Sequence, residues 1–357
     1  MKWKAFFKKA CNGKQEIAPK KRTDEANCSK KTKIDKFIMK ILANDGISKS
    51  GIEVLQQNGF EVITTKVAQE QVANFINANN IEVLLVRSAT KVKRDVIDAC
   101  PGLKVIGRGG VGMDNIDVDY AREKNIHVIN TPASSSDSVA ELVFAHLFSG
   151  VRFLYDSNRN MPLEGDTHFE AMKKSYANGI ELRGKTLGII GFGRIGKSVA
   201  RIGLGLGMRV IASDKFVGNA EIKVDFYNGQ FINVDIITEP VEDIFKEADF
   251  ISLHLPAQEG YVIGAPEFAQ MKDGVGIINA SRGGIINEVE LIEALETGKV
   301  SFAGLDVFEE EPTPAVQVLM HPKISLTPHI GAATLEAQDR IGTELAYQII
   351  SLLKNEI

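Results

Sequence analysis

Cysteine, proline and aromatic residues are all scarce in this chain. Its 357 residues include three cysteines, eleven prolines and 7% aromatic side chains. Cys11, Cys28 and Cys100 form no C-x-x-C pair, so neither a disulfide framework nor a metal site is expected, and the cytoplasm is the expected compartment. The low aromatic content argues against a surface that stacks nucleic-acid bases. Charged residues interrupt every long apolar segment, so no membrane span is expected.

Glycine, by contrast, is abundant, with 32 residues. This number fits an α/β enzyme with many tight turns between strands and helices better than a β-sandwich. A length of 357 residues is ordinary for two domains. We therefore expect a two-lobed α/β protein.

Charge is unevenly distributed along the chain. The formal net charge is -4, yet residues 1–36 carry a net charge of +8 and the remaining residues carry -12. An acidic body repels phosphate backbones, so we do not expect it to bind nucleic acid. Residues 1–38 show no hydrophobic periodicity and are interpreted as a flexible basic extension.

From Met39 onward, short apolar runs alternate with segments of helical periodicity, which is the pattern of βαβ units. A first series of strands is predicted between residues 40 and 130, and a second series between residues 187 and 326. Between them, apolar positions at helical spacing predict one long helix over residues 138–158. A last helix is predicted from Thr334. The alternation predicts parallel sheets in both halves of the chain.

One glycine-rich segment carries a dinucleotide-binding fingerprint. We call it the second glycine loop: Gly191-Phe-Gly193-Arg-Ile-Gly196. It follows an apolar strand and opens a helix, whose N-terminal amides are suited to a pyrophosphate. The next predicted strand ends in Asp214, where a carboxylate can accept hydrogen bonds from ribose hydroxyls and would repel a 2'-phosphate. These features predict a site for NAD rather than NADP.

The first glycine loop, residues 107–112, has the same glycine spacing but a different context. The strand that follows it ends in Asn130, without an acid, and a turn intervenes before the next helix. We therefore do not expect it to bind a dinucleotide. Because Arg108 stands among successive backbone amides, the loop is a candidate anion-binding nest.

Three charged residues follow strands of the second series, namely Arg282, Glu311 and His329. In doubly wound sheets, ligands bind beyond the carboxyl ends of the strands, so we expect these side chains to face one crevice. Histidine can move the hydroxyl proton that accompanies hydride transfer, and a carboxylate can fix its tautomer. Arginine can hold a substrate carboxylate with two hydrogen bonds. Together with an NAD site, they form a chemically complete set for a dehydrogenase.

From Met39 to its end, the chain resembles the D-isomer-specific 2-hydroxyacid dehydrogenase family. The resemblance depends on motifs in the family's order: RSATKV (87–92), GRGGVGMDNID (107–117), NTP (130–132), GFGRIG (191–196), HLP (254–256), NASRGG (279–284), DVFEEEP (306–312) and PHIG (328–331). So many motifs in order are specific for the family and less specific for the substrate.

The resemblance implies roles for individual residues. The catalytic residues would be Arg282, Glu311 and His329. The residues that bind NAD would be Gly191, Gly193, Arg194, Ile195, Gly196, Asp214, His254, Ala280 and Asp306. The substrate would be bound by Arg87, Arg108, Gly109 and Gly110, with the arginines near a phosphate and the glycine amides near a carboxylate. Asp137 departs from the family pattern, and would oppose phosphate binding if it pointed inward.

The implied fold is a Rossmann-type NAD-binding domain, residues 135–328, inserted in a flavodoxin-like substrate domain, residues 39–134 plus 329–357. The implied assembly is a homodimer, and no C-terminal serine-sensing domain is expected. The implied reaction is NAD-dependent oxidation of 3-phosphoglycerate to 3-phosphohydroxypyruvate, the first step of the phosphorylated serine biosynthesis pathway. Two alternatives stay open: a sibling enzyme that reduces hydroxypyruvate or glyoxylate, and a non-catalytic NAD-sensing protein like the corepressors of this family.

Overall fold

The computed structural model describes residues 38–353, and the predicted basic extension lies outside these described residues. Within them the chain forms an α/β fold with two parallel sheets, which confirms the predicted fold class. No helix in this range combines the length and the apolar character that crossing a bilayer requires.

The first sheet is built from residues 40–130. Its strands are β1 (Lys40–Ala43), β2 (Glu61–Ile63), β3 (Ile81–Val86), β4 (Val105–Arg108) and β5 (His127–Asn130), in the order β2-β1-β3-β4-β5. The connecting helices are α1 (Lys49–Gln57), α2 (Val72–Asn79), α3 (Arg94–Ala99) and α4 (Val118–Glu123). Every residue of β3 is buried, as expected for a central parallel strand covered on both faces.

Three helices follow the first sheet: α5 (Ser136–Val151), α6 (Leu154–Glu164) and α7 (Phe169–Ser175). The prediction of one helix over residues 138–158 is wrong. Phe153 has a φ of 55°, and a left-handed residue cannot continue a right-handed helix. Val143 and Leu147 of α5 are buried, whereas all residues of α6 are exposed or half-buried.

The second sheet is built from residues 186–326. The strands of this half are β6 (Thr186–Ile190), β7 (Arg209–Ser213), β8 (Asn219–Asp225), β9 (Phe231–Ile237), β10 (Phe250–Leu253), β11 (Val275–Asn279), β12 (Val300–Leu305) and β13 (Ile324–Leu326). All but β8 and β9 belong to the sheet, in the order β13-β12-β11-β10-β6-β7. The helices are α8 (Arg194–Gly205), α9 (Val241–Glu247), α10 (Ala265–Gln270), α11 (Glu288–Glu296) and α12 (Val316–Met320).

The strand order of the second sheet reverses at β6. From β6 the chain moves outward to β7, and it later returns to β10 on the other side of β6. Such a reversal opens a crevice beyond the carboxyl ends of the two central strands, which is where open α/β sheets bind ligands. Gly191 directly follows β6 and His254 directly follows β10.

Strands β8 and β9 form a separate antiparallel hairpin that the sequence did not predict. The hairpin begins five residues after Asp214 and packs Ile222 and Ile236 into the same core as Val199 of α8. It therefore covers one side of α8, beside the end of β7.

The last helix, α13 (Leu335–Leu353), follows the second sheet but packs on the first. Its Gly342 lies against α1, because a Cβ built on Gly51 would be 2.7 Å from the carbonyl carbon of Gly342. The chain thus crosses between the two sheets after β5 and again after β13. The domain boundaries at 134/135 and 328/329 stay predictions.

Candidate active site

Glu311 and His329 meet beyond the carboxyl ends of β12 and β13. His329 Nδ1 lies 2.8 Å from Glu311 Oε2. Because a carboxylate only accepts hydrogen bonds, Nδ1–H is the donor, and Nε2 of the neutral ring keeps a lone pair. The other oxygen, Glu311 Oε1, accepts from the backbone N–H of Phe308 at 3.2 Å, which holds the carboxylate in place. This is the arrangement of a general base with an orienting carboxylate.

Asp306 holds the backbone turn that carries His329. Its Oδ1 accepts from the Thr327 hydroxyl at 2.6 Å and from the Ile330 N–H at 2.8 Å. Its Oδ2 accepts from the Gly331 N–H at 2.8 Å. His329 itself has a φ of 54°, a conformation that costs a non-glycine residue about 1 kcal/mol or more and requires support from its surroundings. Asp306, which is 1% exposed, provides that support.

Arg282 follows β11, and its guanidinium reaches the first glycine loop. Nε donates to Asp114 Oδ2 at 3.0 Å, and Nη1 donates to the carbonyl of Ser281 at 2.7 Å. A Cβ built on Gly112 would overlap Arg282 Nη2, so only glycine leaves room for the guanidinium there. Arg282 follows a strand of the second sheet and Gly112 follows a strand of the first, so this contact links the two halves of the structure.

A second arginine, Arg87, lies against the first glycine loop, and a third, Arg108, belongs to the loop itself. A Cβ built on Gly109 would be 3.6 Å from Arg87 Cγ, and one built on Gly110 would overlap Arg108 Nη1. Burial, followed by the positive charges of Arg282 and Arg87, lowers the pKa of Arg108. An arginine nevertheless stays charged at neutral pH. Three arginines therefore interact here with two carboxylates, Asp114 and Asp45, and the excess of positive charge suits an anionic ligand.

The second glycine loop forms a cradle at the N-terminus of α8. Gly191 has a φ of 95°, and a Cβ there would overlap the carbonyl oxygen of His254. A Cβ on Gly196 would overlap the carbonyl oxygen of Gly191. At Gly193, no described atom beyond the glycine and its two chain neighbours lies within 4 Å of the Cβ position, so space is open where a side chain would project. Open space beside the N-terminus of a 12-residue helix fits the pyrophosphate of NAD.

Asp214 connects the end of β7 to the second glycine loop. Its Oδ2 accepts from the Phe192 N–H at 2.6 Å, and its Oδ1 accepts from the N–H groups of Phe216 and Val217 at 2.8 Å and 3.0 Å. Burial alone would raise the pKa of Asp214, but these backbone donors outweigh burial and lower it. The carboxylate is therefore fixed and ionised where the fingerprint predicts the ribose.

Four other residues predicted to bind NAD lie at the start of α8 or directly after strands of the second sheet. Arg194 and Ile195 are the first two residues of α8, and Ala280 is buried directly after β11. His254 Nε2 lies 2.8 Å from Ser252 Oγ, while its Nδ1 is buried with no hydrogen-bond partner among the described residues. Burial lowers the pKa of His254 to about 3. A neutral ring with an unpaired buried nitrogen is consistent with a ligand-lining position.

Asp137 points away from the arginines of the first glycine loop. Its carboxylate accepts from the Ser198 hydroxyl at 2.8 Å and pairs with Arg201, both on α8. It therefore does not oppose anion binding at the first glycine loop.

Sequence reasoning missed several neighbours of the predicted residues. Asp114 and the contact of Gly112 with Arg282 were not predicted. Asn115 was also missed, although its Nδ2 donates to the carbonyls of Arg87 and Thr90 at 2.7 Å and 2.6 Å. The available signal was the DNID segment that directly follows the loop in the family motif.

Three comparisons with known proteins identify relatives of this chain. The family model for the D-isomer specific 2-hydroxyacid dehydrogenase, NAD binding domain, matches residues 144–331. The hydroxypyruvate reductase of Thermotoga maritima is 41% identical over 320 residues, which cover 88% of this chain and 98% of that protein. A D-3-phosphoglycerate dehydrogenase of Methanocaldococcus jannaschii is 39% identical over 322 residues, which cover 90% of this chain but only 58% of that protein.

Solved structures show the same fold. The NAD+-bound 3-phosphoglycerate dehydrogenase of Entamoeba histolytica is similar with a TM-score of 0.70 and 29% sequence identity, over 90% of this chain and 97% of that chain.

Proposed function

The chain belongs to the D-isomer-specific 2-hydroxyacid dehydrogenase family, and from that premise we propose that it oxidises 3-phosphoglycerate to 3-phosphohydroxypyruvate. As a member of this family it is an NAD-dependent D-2-hydroxyacid dehydrogenase. The observation that carries the choice of substrate is the position of three arginines, Arg87, Arg108 and Arg282, at the first glycine loop. A molecule with a carboxylate at one end and a phosphate at the other matches this cluster of positive charge.

The catalytic step assigned to this chain is a proton transfer. His329 Nε2 takes the proton from the C2 hydroxyl of the substrate as the C2–O bond becomes a carbonyl. The bond from Nδ1–H to Glu311 stabilises the imidazolium that forms. When bound, NAD supplies the acceptor for the hydride that leaves C2. Asp306 keeps His329 oriented by fixing residues 327–331.

Substrate binding is assigned to the arginines and the first glycine loop. Arg282 binds the substrate carboxylate through its guanidinium N–H groups. Asp114 fixes its Nε, and its Nη2 lies beside Gly112 of the loop. Arg87 and Arg108 supply positive charge for the phosphate, and the amides of Gly109 and Gly110 add donors. The reaction would then be the first step of the phosphorylated serine biosynthesis pathway.

A second candidate function is the reduction of hydroxypyruvate or glyoxylate. It is favoured by the nearly full-length match to the hydroxypyruvate reductase of Thermotoga maritima. His329, Glu311 and Arg282 would act in the same way, with the proton and hydride moving in the reverse direction. Only the need for Arg87 and Arg108 separates the two functions.

The test is the loss of nicotinamide absorbance when the purified protein meets NADH and 3-phosphohydroxypyruvate, hydroxypyruvate or glyoxylate. We expect the highest kcat/KM with 3-phosphohydroxypyruvate. A preference for an unphosphorylated acid would support the second candidate. No turnover with any of the three would contradict both and favour a non-catalytic NAD-sensing protein.

We also propose that the protein is a homodimer. In support, α6 and α7 expose large apolar side chains: Leu154, Met161, Leu163 and Phe169. Apolar side chains that are exposed in one chain leave water when two chains pack together. Light scattering should give the mass of two chains, and Leu163→Asp, at a position that is 76% exposed, should give the mass of one. The mass of a single chain for the unmodified protein would contradict the proposal.

A further inference from the structure

A buried histidine outside the predicted site lies behind the turn that carries His329. His146, in α5, is 2% exposed. Its Nδ1 lies 2.9 Å from Ser325 Oγ, and its Nε2 lies 3.0 Å from Thr327 Oγ1. Thr327 Oγ1 in turn lies 2.6 Å from Asp306 Oδ1. A chain of hydrogen bonds therefore leads from α5 to the carboxylate that holds the His329 turn.

The donors and acceptors among His146, Thr327 and Asp306 fix the direction of each hydrogen bond. Asp306 accepts from two backbone N–H groups as well, so it acts as a carboxylate, and the single hydroxyl proton of Thr327 is donated to it. Thr327 must then accept from His146 Nε2–H. Burial lowers the pKa of His146 despite the nearby charge of Asp306, so the ring is neutral. Its Nδ1 consequently accepts from the Ser325 hydroxyl.

The fold provides a defined space for this ring. A Cβ built on Gly304 of β12 would lie 2.6 Å from His146 Cβ and 2.8 Å from Ile278 Cδ1. Any larger residue at this position would push α5 away from the sheet. The glycine therefore lets His146 come close enough to β13 to reach Ser325 and Thr327.

We propose that His146 is a positioning residue for the dehydrogenase reaction. Its Nε2–H commits the Thr327 hydroxyl to Asp306, and Asp306 then keeps residues 327–331 in the conformation that presents His329. Without that donor, the Thr327 hydroxyl can rotate toward other acceptors, and Asp306 Oδ1 loses one of its two donors. This inference rests on the role proposed above for His329.

The first test does not depend on the substrate. Protein labelled with 15N-histidine is studied by NMR at neutral pH, and the His146 signals are identified by their loss in His146→Gln. We expect a neutral ring with the proton on Nε2 and none on Nδ1. A proton on Nδ1 alone, or on both nitrogens, would overturn the proposed direction of the bonds.

The second test separates positioning from simple packing. Glutamine can place an amide donor near the position of Nε2, whereas leucine cannot donate. We expect His146→Leu to lower kcat on the order of 10- to 100-fold, with KM for the keto acid changed less than about twofold, because Arg282 is not affected. His146→Gln should restore kcat to within about threefold of the unmodified enzyme.

Val143→Ala is the matched control, because Val143 is also in α5, is 0% exposed, and has no polar link to Asp306. We expect it to lower the melting temperature without lowering kcat. All variants are assayed below their melting temperatures with the keto acid that the unmodified enzyme reduces fastest, so the outcome does not depend on the choice of 3-phosphoglycerate. Unchanged kcat in His146→Leu, or an equal loss in Val143→Ala, would overturn the proposal.

Discussion

Arg282 Nε lies 3.0 Å from Asp114 Oδ2, so an arginine of the second sheet is held by a carboxylate from the loop that follows β4 of the first sheet. The side chains are 25% and 62% exposed, and a pair this exposed adds little to stability. Its main effect is to orient the guanidinium. Arg282 is thus oriented by a residue just after the first glycine loop, and this bond links a loop of the second sheet to a loop of the first.

The close packing of Gly112 on Arg282 predicts the effect of a single methyl group. In Gly112→Ala the new Cβ would overlap Arg282 Nη2 and displace the guanidinium. We expect KM for the keto acid to rise at least about tenfold, with KM for NADH nearly unchanged. Steady-state kinetics with each substrate varied in turn measure both. Gly102→Ala is the control, because no described atom beyond its two chain neighbours lies within 4 Å of its Cβ position. An equal rise in that variant would contradict the explanation.

The pairing of His329 with Glu311 predicts a loss of turnover without a loss of cofactor binding. His329→Ala removes the atom that we propose takes the hydroxyl proton, so kcat should fall about 100- to 10,000-fold. NADH binding, measured by fluorescence titration, should stay close to that of the unmodified protein, since the second glycine loop is untouched. Turnover near the normal rate in this variant would exclude His329 as the base.

The position of Asp214 predicts the choice between NADH and NADPH. In Asp214→Ser, the negative charge that repels a 2'-phosphate is removed. The ratio of kcat/KM for NADPH to that for NADH should rise at least about tenfold. Asp225→Ser, on the exposed hairpin, is the control and should leave the ratio unchanged. A ratio that stays constant in Asp214→Ser would show that another residue selects the cofactor.

Two neutral histidines, the buried His146 and the half-buried His254, predict that stability falls in mild acid. The pKa of His146 is lowered, and that of His254 is lowered to about 3, from an ordinary value of 6.5. The unfolded chain therefore binds protons at higher pH than the folded protein does. Above about pH 6.5 the titration of these histidines does not reduce the free energy of unfolding. As the pH falls below that value, the free energy of unfolding decreases by up to about 1.4 kcal/mol per pH unit for each histidine.

Urea unfolding from about pH 7.5 to about pH 5 measures this dependence. His146→Gln should have a shallower decline in the free energy of unfolding than the unmodified protein, because one titrating group is gone. Identical slopes in the two proteins would contradict the assignment.

Much of the fold follows from local patterns in the sequence. Buried parallel strands such as β3 and β10 are mostly apolar, and such short apolar runs led to the prediction of two series of strands. The proximity of residues that come after different strands also follows from topology, because the carboxyl ends of parallel strands meet at one edge of a sheet. Glu311 and His329 lie within hydrogen-bonding distance for this reason.

Other features depend on contacts that no local pattern encodes. The break between α5 and α6 depends on the left-handed conformation of Phe153, which apolar spacing does not reveal. The hairpin of β8 and β9 carries mixed polar and apolar residues and is defined by its packing on α8. Asp114 contacts a residue that is 168 positions away in the sequence, and His146 contacts one that is 181 positions away. Only the folded structure shows these contacts.

The measurement that tests the central claim most directly is the substrate preference of Arg87→Gln and Arg108→Gln. The ratio of kcat/KM for 3-phosphohydroxypyruvate to that for glyoxylate is determined for each variant with NADH. Arg122→Gln, an exposed arginine on α4 whose partner is Asp119, is the matched control. We predict that the ratio falls at least about tenfold in both variants and stays constant in the control. An unchanged ratio in both variants would show that the first glycine loop does not bind a phosphate, and would contradict the proposed function.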